Sequence, residues 1–134
     1  MSGLERIMHI EDDLSIQEVT RVALEIVGGF EVLSCSSGAE GLARLEDFKP
    51  DLLLLDVMMP EMDGPETLAR IRAIPAVADL PVIFMTAKVQ AEEIREYHRL
   101  SAAGVIIKPF DPMTLADQIR TIWNASVEQA ERQD

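Results

Sequence analysis

Pro50-Asp51-Leu52-Leu53-Leu54-Leu55-Asp56-Val57-Met58-Met59-Pro60-Glu61-Met62-Asp63-Gly64 drives four leucines straight into a carboxylate. A continuous apolar run of this length, bounded by Pro and Gly, reads as a strand buried on both faces. An aspartate at the carboxyl end of such a strand sits where open α/β sheets gather their ligand chemistry. Asp56 is therefore the residue around which the rest of the chain is read.

Outward from this run, strand and helix patterns alternate. Ile7-Met8-His9-Ile10 is a short apolar run that stops at Glu11-Asp12-Asp13. Apolar residues at Ile16, Val19, Val22, Ala23 and Ile26 recur at helical spacing, and Gly28-Gly29 ends that helix. Phe30 to Cys35 reads as a second strand, and Ser36-Ser37-Gly38 caps a short helix over Ala39 to Asp47. Gly64-Pro65 opens a helix that runs to about Ala73, with Pro65 suited to its first position. Leu80 to Thr86 is the fourth strand, with Pro81 at its start, where a missing N–H does least harm. Ala91 to about Ala102 is helical but weakly apolar, and Val105-Ile106-Ile107 forms the fifth strand. Asp111 or Thr114 caps a last helix bearing Leu115, Ile119 and Ile122, and the polar tail over 126–134 is expected to fray. Strict alternation implies a parallel sheet with helices on both faces. The expected fold is α/β and flavodoxin-like, a doubly wound five-stranded parallel sheet of strand order 2-1-3-4-5.

Composition sets limits. The 134 residues suffice for one core, and 24 acidic against 12 basic side chains give a net charge of −12. Such a surface repels nucleic acid backbones and anionic membranes. A single cysteine, Cys35, and the lack of a secretory signal or long apolar span suit a cytoplasmic setting. Cys35 reads as a small hydrophobe in a strand, since no basic residue near it in sequence would activate a thiol.

Glu11, Asp12 and Asp13 follow the first strand and Asp56 ends the third, its neighbour in the expected order. Carboxylates packed together cannot all stay ionised without help. A divalent cation supplies it, and oxygen ligands suit Mg²⁺. Thr86 ends the fourth strand and Lys108 the fifth, so a hydroxyl and an ammonium share that edge. The set suits phosphorylation of a carboxylate, with Asp56 as nucleophile and Lys108 and Mg²⁺ offsetting charge on the phosphoryl oxygens. Each signal alone has a plainer reading. Glu-Asp-Asp can be a helix cap, Asp56 a turn residue, Thr86 a strand end, and Lys108 a lysine reaching for solvent. Four such residues at the ends of four strands on one edge favour the common site.

The pieces Ile10-Glu11-Asp12-Asp13, Asp56 to Gly64, Met85-Thr86-Ala87 and Gly104 to Phe110 resemble the response-regulator receiver domains of two-component signalling. The resemblance spans residues 5–125 and implies a stand-alone receiver with no output domain and no direct DNA binding. It implies Asp56 as phosphoacceptor, fed by a sensor histidine kinase or a histidine phosphotransfer protein, with signalling through a downstream protein target. It implies Asp12, Asp56 and the Met58 backbone carbonyl as Mg²⁺ ligands, with Glu11 reaching the metal through water and Asp13 left as a cap. Thr86 resembles the switch hydroxyl, Lys108 the phosphate-binding lysine, and Ala87 the small residue that keeps phosphate access open. Lys108–Pro109 corresponds to a cis peptide in the family. Met58 and Lys88 flank the expected site, at places that tune water access. One departure stands out: receivers often carry Tyr or Phe three residues before the lysine, where this chain has Val105.

The chain is expected to be no enzyme beyond its own phosphorylation and dephosphorylation. An aspartyl-phosphate phosphohydrolase would want a second acid two residues past Asp56, where Met58 stands. A flavin module would want a glycine- and hydroxyl-rich loop where Glu11-Asp12-Asp13 stands. An unphosphorylated interaction module is disfavoured by the intact site. His9 is expected in the core or at its edge and His98 in solvent. Tyr97 and Trp123 are candidates for a partner surface, with packing at the core edge an equal reading for Trp123. The methionines Met58, Met59, Met62 and Met85 read as gap-filling residues. The sequence leaves two expectations open: a fragment of a longer protein, or a complete chain, which Met1 and the polar tail suit.

Overall fold

The computed structural model describes residues 3–87 and 90–132. Five parallel strands lie in the order β2-β1-β3-β4-β5: β1 (Arg6–Ile10), β2 (Glu31–Cys35), β3 (Leu52–Asp56), β4 (Val82–Thr86) and β5 (Gly104–Ile107). The order is that of the flavodoxin-like fold expected for this chain. β3 lies at the centre and is buried along its whole length. Its leucines alternate between faces. Leu53 and Leu55 join Met8, Ile10, Leu68, Ile71 and Phe84 on one side. Leu52 and Leu54 join Ile7, Leu24, Ile83, Leu115 and Ile119 on the other. Each fully buried leucine contributes about 1.5–3 kcal/mol relative to exposure, which explains why an uninterrupted apolar run is needed here.

Helices α2 (Gly38–Phe48), α3 (Gly64–Arg72) and α4 (Ala91–Arg99) cover the first face. Helix α1 (Leu14–Val22), through Ala23 and Leu24 of its continuation, and helix α5 (Leu115–Arg132) cover the second. The helix starts follow capping chemistry. Asp13 accepts from the N–H groups of Ser15 and Ile16, Ser37 from Glu40, and Asp63 from Glu66. The opposite, amino-terminal edge of the sheet is clipped by side chains. Asp51 accepts from the backbone of Glu5 and Arg6, and Arg72 donates to the carbonyls of Ala78, Leu80 and Ser101.

Three local expectations differ from the structure. The helix read as continuous to Val27 widens into π-helical turns over Ala23–Val27. Gly28 then packs so closely on Ala116 that a Cβ would come within 2.9 Å of it. The polar stretch from Ser126, expected to fray, continues α5 to Arg132. No Gly or Pro interrupts 115–132, and Ala, Glu, Gln and Arg are good helix formers. Tyr97 is not on the surface. It is 4% exposed and packs on Phe84, with ring centroids 4.8 Å apart. Trp123 is half-buried against the second core cluster, as the packing reading has it.

Candidate functional site

The carboxyl ends of β1, β3, β4 and β5 place the side chains singled out in the sequence on one edge. Glu11 and Asp12 follow β1, Asp56 and Thr86 are the last residues of β3 and β4, and Lys108 follows β5. Ligand oxygens of Glu11, Asp12 and Asp56 all lie within 4.8 Å of one another. Glu11 and Asp56 are buried while Asp12 faces solvent. Lys108 joins the two buried acids: its Nζ donates to Glu11 Oε1 and to Asp56 Oδ1, each at 2.7 Å. Residues 97 and 52 positions apart are thus tied together by one ammonium group.

The electrostatics follow from this packing. Burial pushes the Glu11 carboxyl above the ordinary range, against the hydrogen bond from Lys108; the Asp56 charge adds to the rise. Burial alone would lower the Lys108 pKa. Its hydrogen bonds to Asp56 and Glu11 outweigh that, so the net direction is upward and the group stays charged. His9, on the neighbouring strand and fully buried, is pushed down to about 3 by burial and by the nearby Lys108 charge, and it is neutral at pH 7.

Local structure holds the acids in place. The Glu11 carboxylate accepts from the N–H of Asp13, and Asp13 caps α1. Gln17, one turn into α1, donates from its amide to the Glu11 carbonyl at 2.6 Å and to the Ser36 hydroxyl at 3.1 Å. It ties the acidic loop to the loop after β2. Sequence reading passed over Gln17; the available signal was a polar residue four positions after the cap, on the turn that faces the sheet edge. At the other side of Asp56, the N–H of Gly64 donates to the Val57 carbonyl at 2.8 Å. A Cβ on Gly64 would lie 2.5 Å from the Asp56 carbonyl oxygen, so the chain passes here only without a side chain.

The remaining predicted positions surround this centre. Thr86 is 2% exposed, with the Tyr97 side chain of α4 beside it. Ala87 is exposed next to it, and Met58 is 62% exposed at the start of the β3–α3 loop. The Lys108–Pro109 peptide is cis. Val105 pairs with Phe84 across β4 and β5 and packs on the first core cluster. His98 is exposed, while His9 lies in the core. Lys88 lies outside the described residues. Cys35 is buried, and burial raises its thiol pKa to about 11, so it is the packed hydrophobe expected.

The profile of the response regulator receiver domain matches residues 7–120. The chain belongs to this family. A probable C4-dicarboxylate response regulator DctR of Priestia megaterium is 40% identical over 105 residues, covering 78% of this chain and 45% of that protein. The phosphate regulon transcriptional regulatory protein PhoB of Pseudomonas aeruginosa is 33% identical, covering 87% of this chain and 50% of that protein. The chain thus spans about half the length of the curated relatives it matches. Among solved structures, chemotaxis protein CheY4 of Vibrio cholerae superposes with a TM-score of 0.83 at 27% identity, covering 90% of this chain and 99% of that one. The N-terminal domain of a receiver protein from Methanoculleus marisnigri is 39% identical with a TM-score of 0.73, covering 89% of this chain and 96% of that one.

The donor set fits the metal that receiver domains use. Three carboxylates offer hard oxygen ligands only, and neither histidine nor cysteine is among them. The receiver domain can therefore hold Mg²⁺ on Glu11, Asp12 and Asp56. No described helix is long and apolar enough to cross a membrane.

Proposed function

We propose that this receiver accepts a phosphoryl group on Asp56 from a histidine kinase or a histidine phosphotransfer protein, and signals by binding a protein target. The observation that carries the reading is Lys108, shared at 2.7 Å between Glu11 and Asp56. An Asp56 oxygen forms the new bond to phosphorus as the bond from phosphorus to the donor nitrogen breaks; the donor ring, protonated on its other nitrogen, leaves as neutral imidazole, and Asp56 carries the acyl phosphate. Lys108, already on an Asp56 oxygen, moves little to meet a phosphoryl oxygen. Thr86, at the end of the next strand, supplies a hydroxyl to the transferred group. Ala87 leaves the approach open, and Met58, exposed beside Asp56, sits where it bears on water access. Asp12, Asp56 and the Met58 carbonyl would hold Mg²⁺, with Glu11 contributing through water; when bound, the ion offsets charge on the phosphoryl oxygens.

On this reading the chain turns over no substrate but its own phosphoryl group, in a cytoplasmic setting. The net charge of −12 supports a protein partner rather than DNA, which would repel it. The curated relatives include longer transcriptional regulators, so a stand-alone role belongs to this proposal. The test is intact mass after incubation with acetyl phosphate, with and without Mg²⁺, on wild type and Asp56→Asn. A Mg²⁺-dependent adduct confined to wild type is the expected result. An adduct of equal yield on Asp56→Asn would move the acceptor elsewhere.

A further inference from the structure

Over Leu14–Val22, helix α1 meets the sheet through a polar side chain. Thr20 is its one buried residue, at 0% exposed, while the neighbouring Val19 and Val22 stay at 46% and 39%. The strands beneath answer with polar groups of their own. His9 of β1 is fully buried and lies directly across from Ser34 of β2. Side chains alternate along a strand, and Met8, Ile10 and Cys35 belong to the first core cluster. His9 and Ser34 therefore point to the second face, the one under α1. The level matches as well. Gln17 reaches the Glu11 carbonyl and the Ser36 hydroxyl, just past the carboxyl ends of these two strands. Because β1 and β2 are parallel, the helix that joins them runs back along the strands. Thr20 lies one turn past Gln17, about 4.5 Å further along the helix axis. That distance is about one and a half strand residues, which brings Thr20 to the level of His9 and Ser34.

Four buried polar atoms meet in this seam: both ring nitrogens of His9, Thr20 Oγ1 and Ser34 Oγ. None has a hydrogen-bond partner among the described residues. The strand backbone offers no remedy, since β1 is paired with β2 on one side and β3 on the other. Buried polar groups left unmet are costly, and native folds rarely keep several together. We propose that His9, Thr20 and Ser34 form the binding site of one internal water, which bridges α1 to β1 and β2. The chemistry of the three side chains selects water. Each hydroxyl can donate and accept, and a neutral imidazole does one at each nitrogen. An internal water typically makes about three hydrogen bonds to groups of this kind. None of the three carries a charge at pH 7 that would hold an ion instead. The water ties down α1 one turn behind the Gln17 contact, which itself fastens the acidic loop.

The test is a crystal structure of the full chain, joined to oxygen-17 relaxation dispersion, which counts long-lived waters in solution. The crystal structure is expected to show a water within hydrogen-bond distance of His9 and of at least one of the two hydroxyls. The triple variant His9→Leu, Thr20→Val, Ser34→Ala replaces the site by apolar groups of similar shape, so the fold should be kept. It should lose one long-lived water relative to wild type. Direct hydrogen bonds among the three side chains, with no water between them, overturn the proposal. An equal water count in the folded triple variant overturns it too. If the triple variant does not fold, the wild-type density decides alone: a water there supports the site, and its absence among ordered side chains overturns it.

Discussion

At the scale of single residues, the core carries one group that pH can turn against it. Neither ring nitrogen of His9 has a hydrogen-bond partner among the described residues. Its pKa of about 3 in the fold lies below the ordinary 6.5. The unfolded chain therefore binds more protons than the native one between these values, and stability falls as pH drops from about 6.5 toward 3. The loss is at most about 1.4 kcal/mol per pH unit. His9→Leu removes this contribution. Urea midpoints at pH 7 and pH 5 should fall further apart for wild type than for His9→Leu. The histidine's burial follows from its place among Ile7, Met8 and Ile10, and was within reach of the sequence. Tyr97 was not: α4 is mostly charged, and its buried side is narrow. Only the position of Phe84 and Thr86 beneath it shows that the ring faces inward.

At the scale of elements, the site depends on two turns held from behind. Gln17 fastens the loop after β1 to the loop after β2. Gln17→Leu removes those hydrogen bonds without touching a carboxylate, and Mg²⁺ affinity measured by calorimetry should fall about tenfold. Gly64 lets α3 start directly under Asp56. Gly64→Ala would press a methyl on backbone that cannot yield, costing about 2 kcal/mol in urea unfolding and lowering the yield of adduct with acetyl phosphate. Strand ends were the legible part of this architecture. An apolar run that stops at Glu11, at Asp56, at Thr86 or at Lys108 marks where the strand leaves the core, and parallel order puts those stops on one edge. The hydrogen bonds of Gln17 were illegible because one amide joins two loops that are distant in sequence. The π-helical turns over Ala23–Val27 were illegible for a related reason: they answer to close packing of Gly28 on α5, which no local pattern announces.

At the scale of the whole molecule, an excess of twelve negative charges presses on a site that already gathers three carboxylates. Mg²⁺ should therefore stabilise the fold as well as assist its chemistry. At a hundredfold excess over its dissociation constant the gain is about 2.7 kcal/mol. The rise should be read in urea midpoints, reversed by EDTA, and compared with NaCl at equal ionic strength to remove simple screening. The Asp12→Asn, Asp56→Asn double variant should gain no more from Mg²⁺ than from NaCl. The two edges of the sheet meanwhile answer to different demands. One gathers the acids, Thr86 and Lys108. The other is held by Asp51 and Arg72 and carries the short turn Pro75–Val77. Because the parallel strands carry everything reactive to one end, the far end offers a handle. A dye, a surface tether or a fused domain attached there would ride on the molecule without standing in the path of a donor.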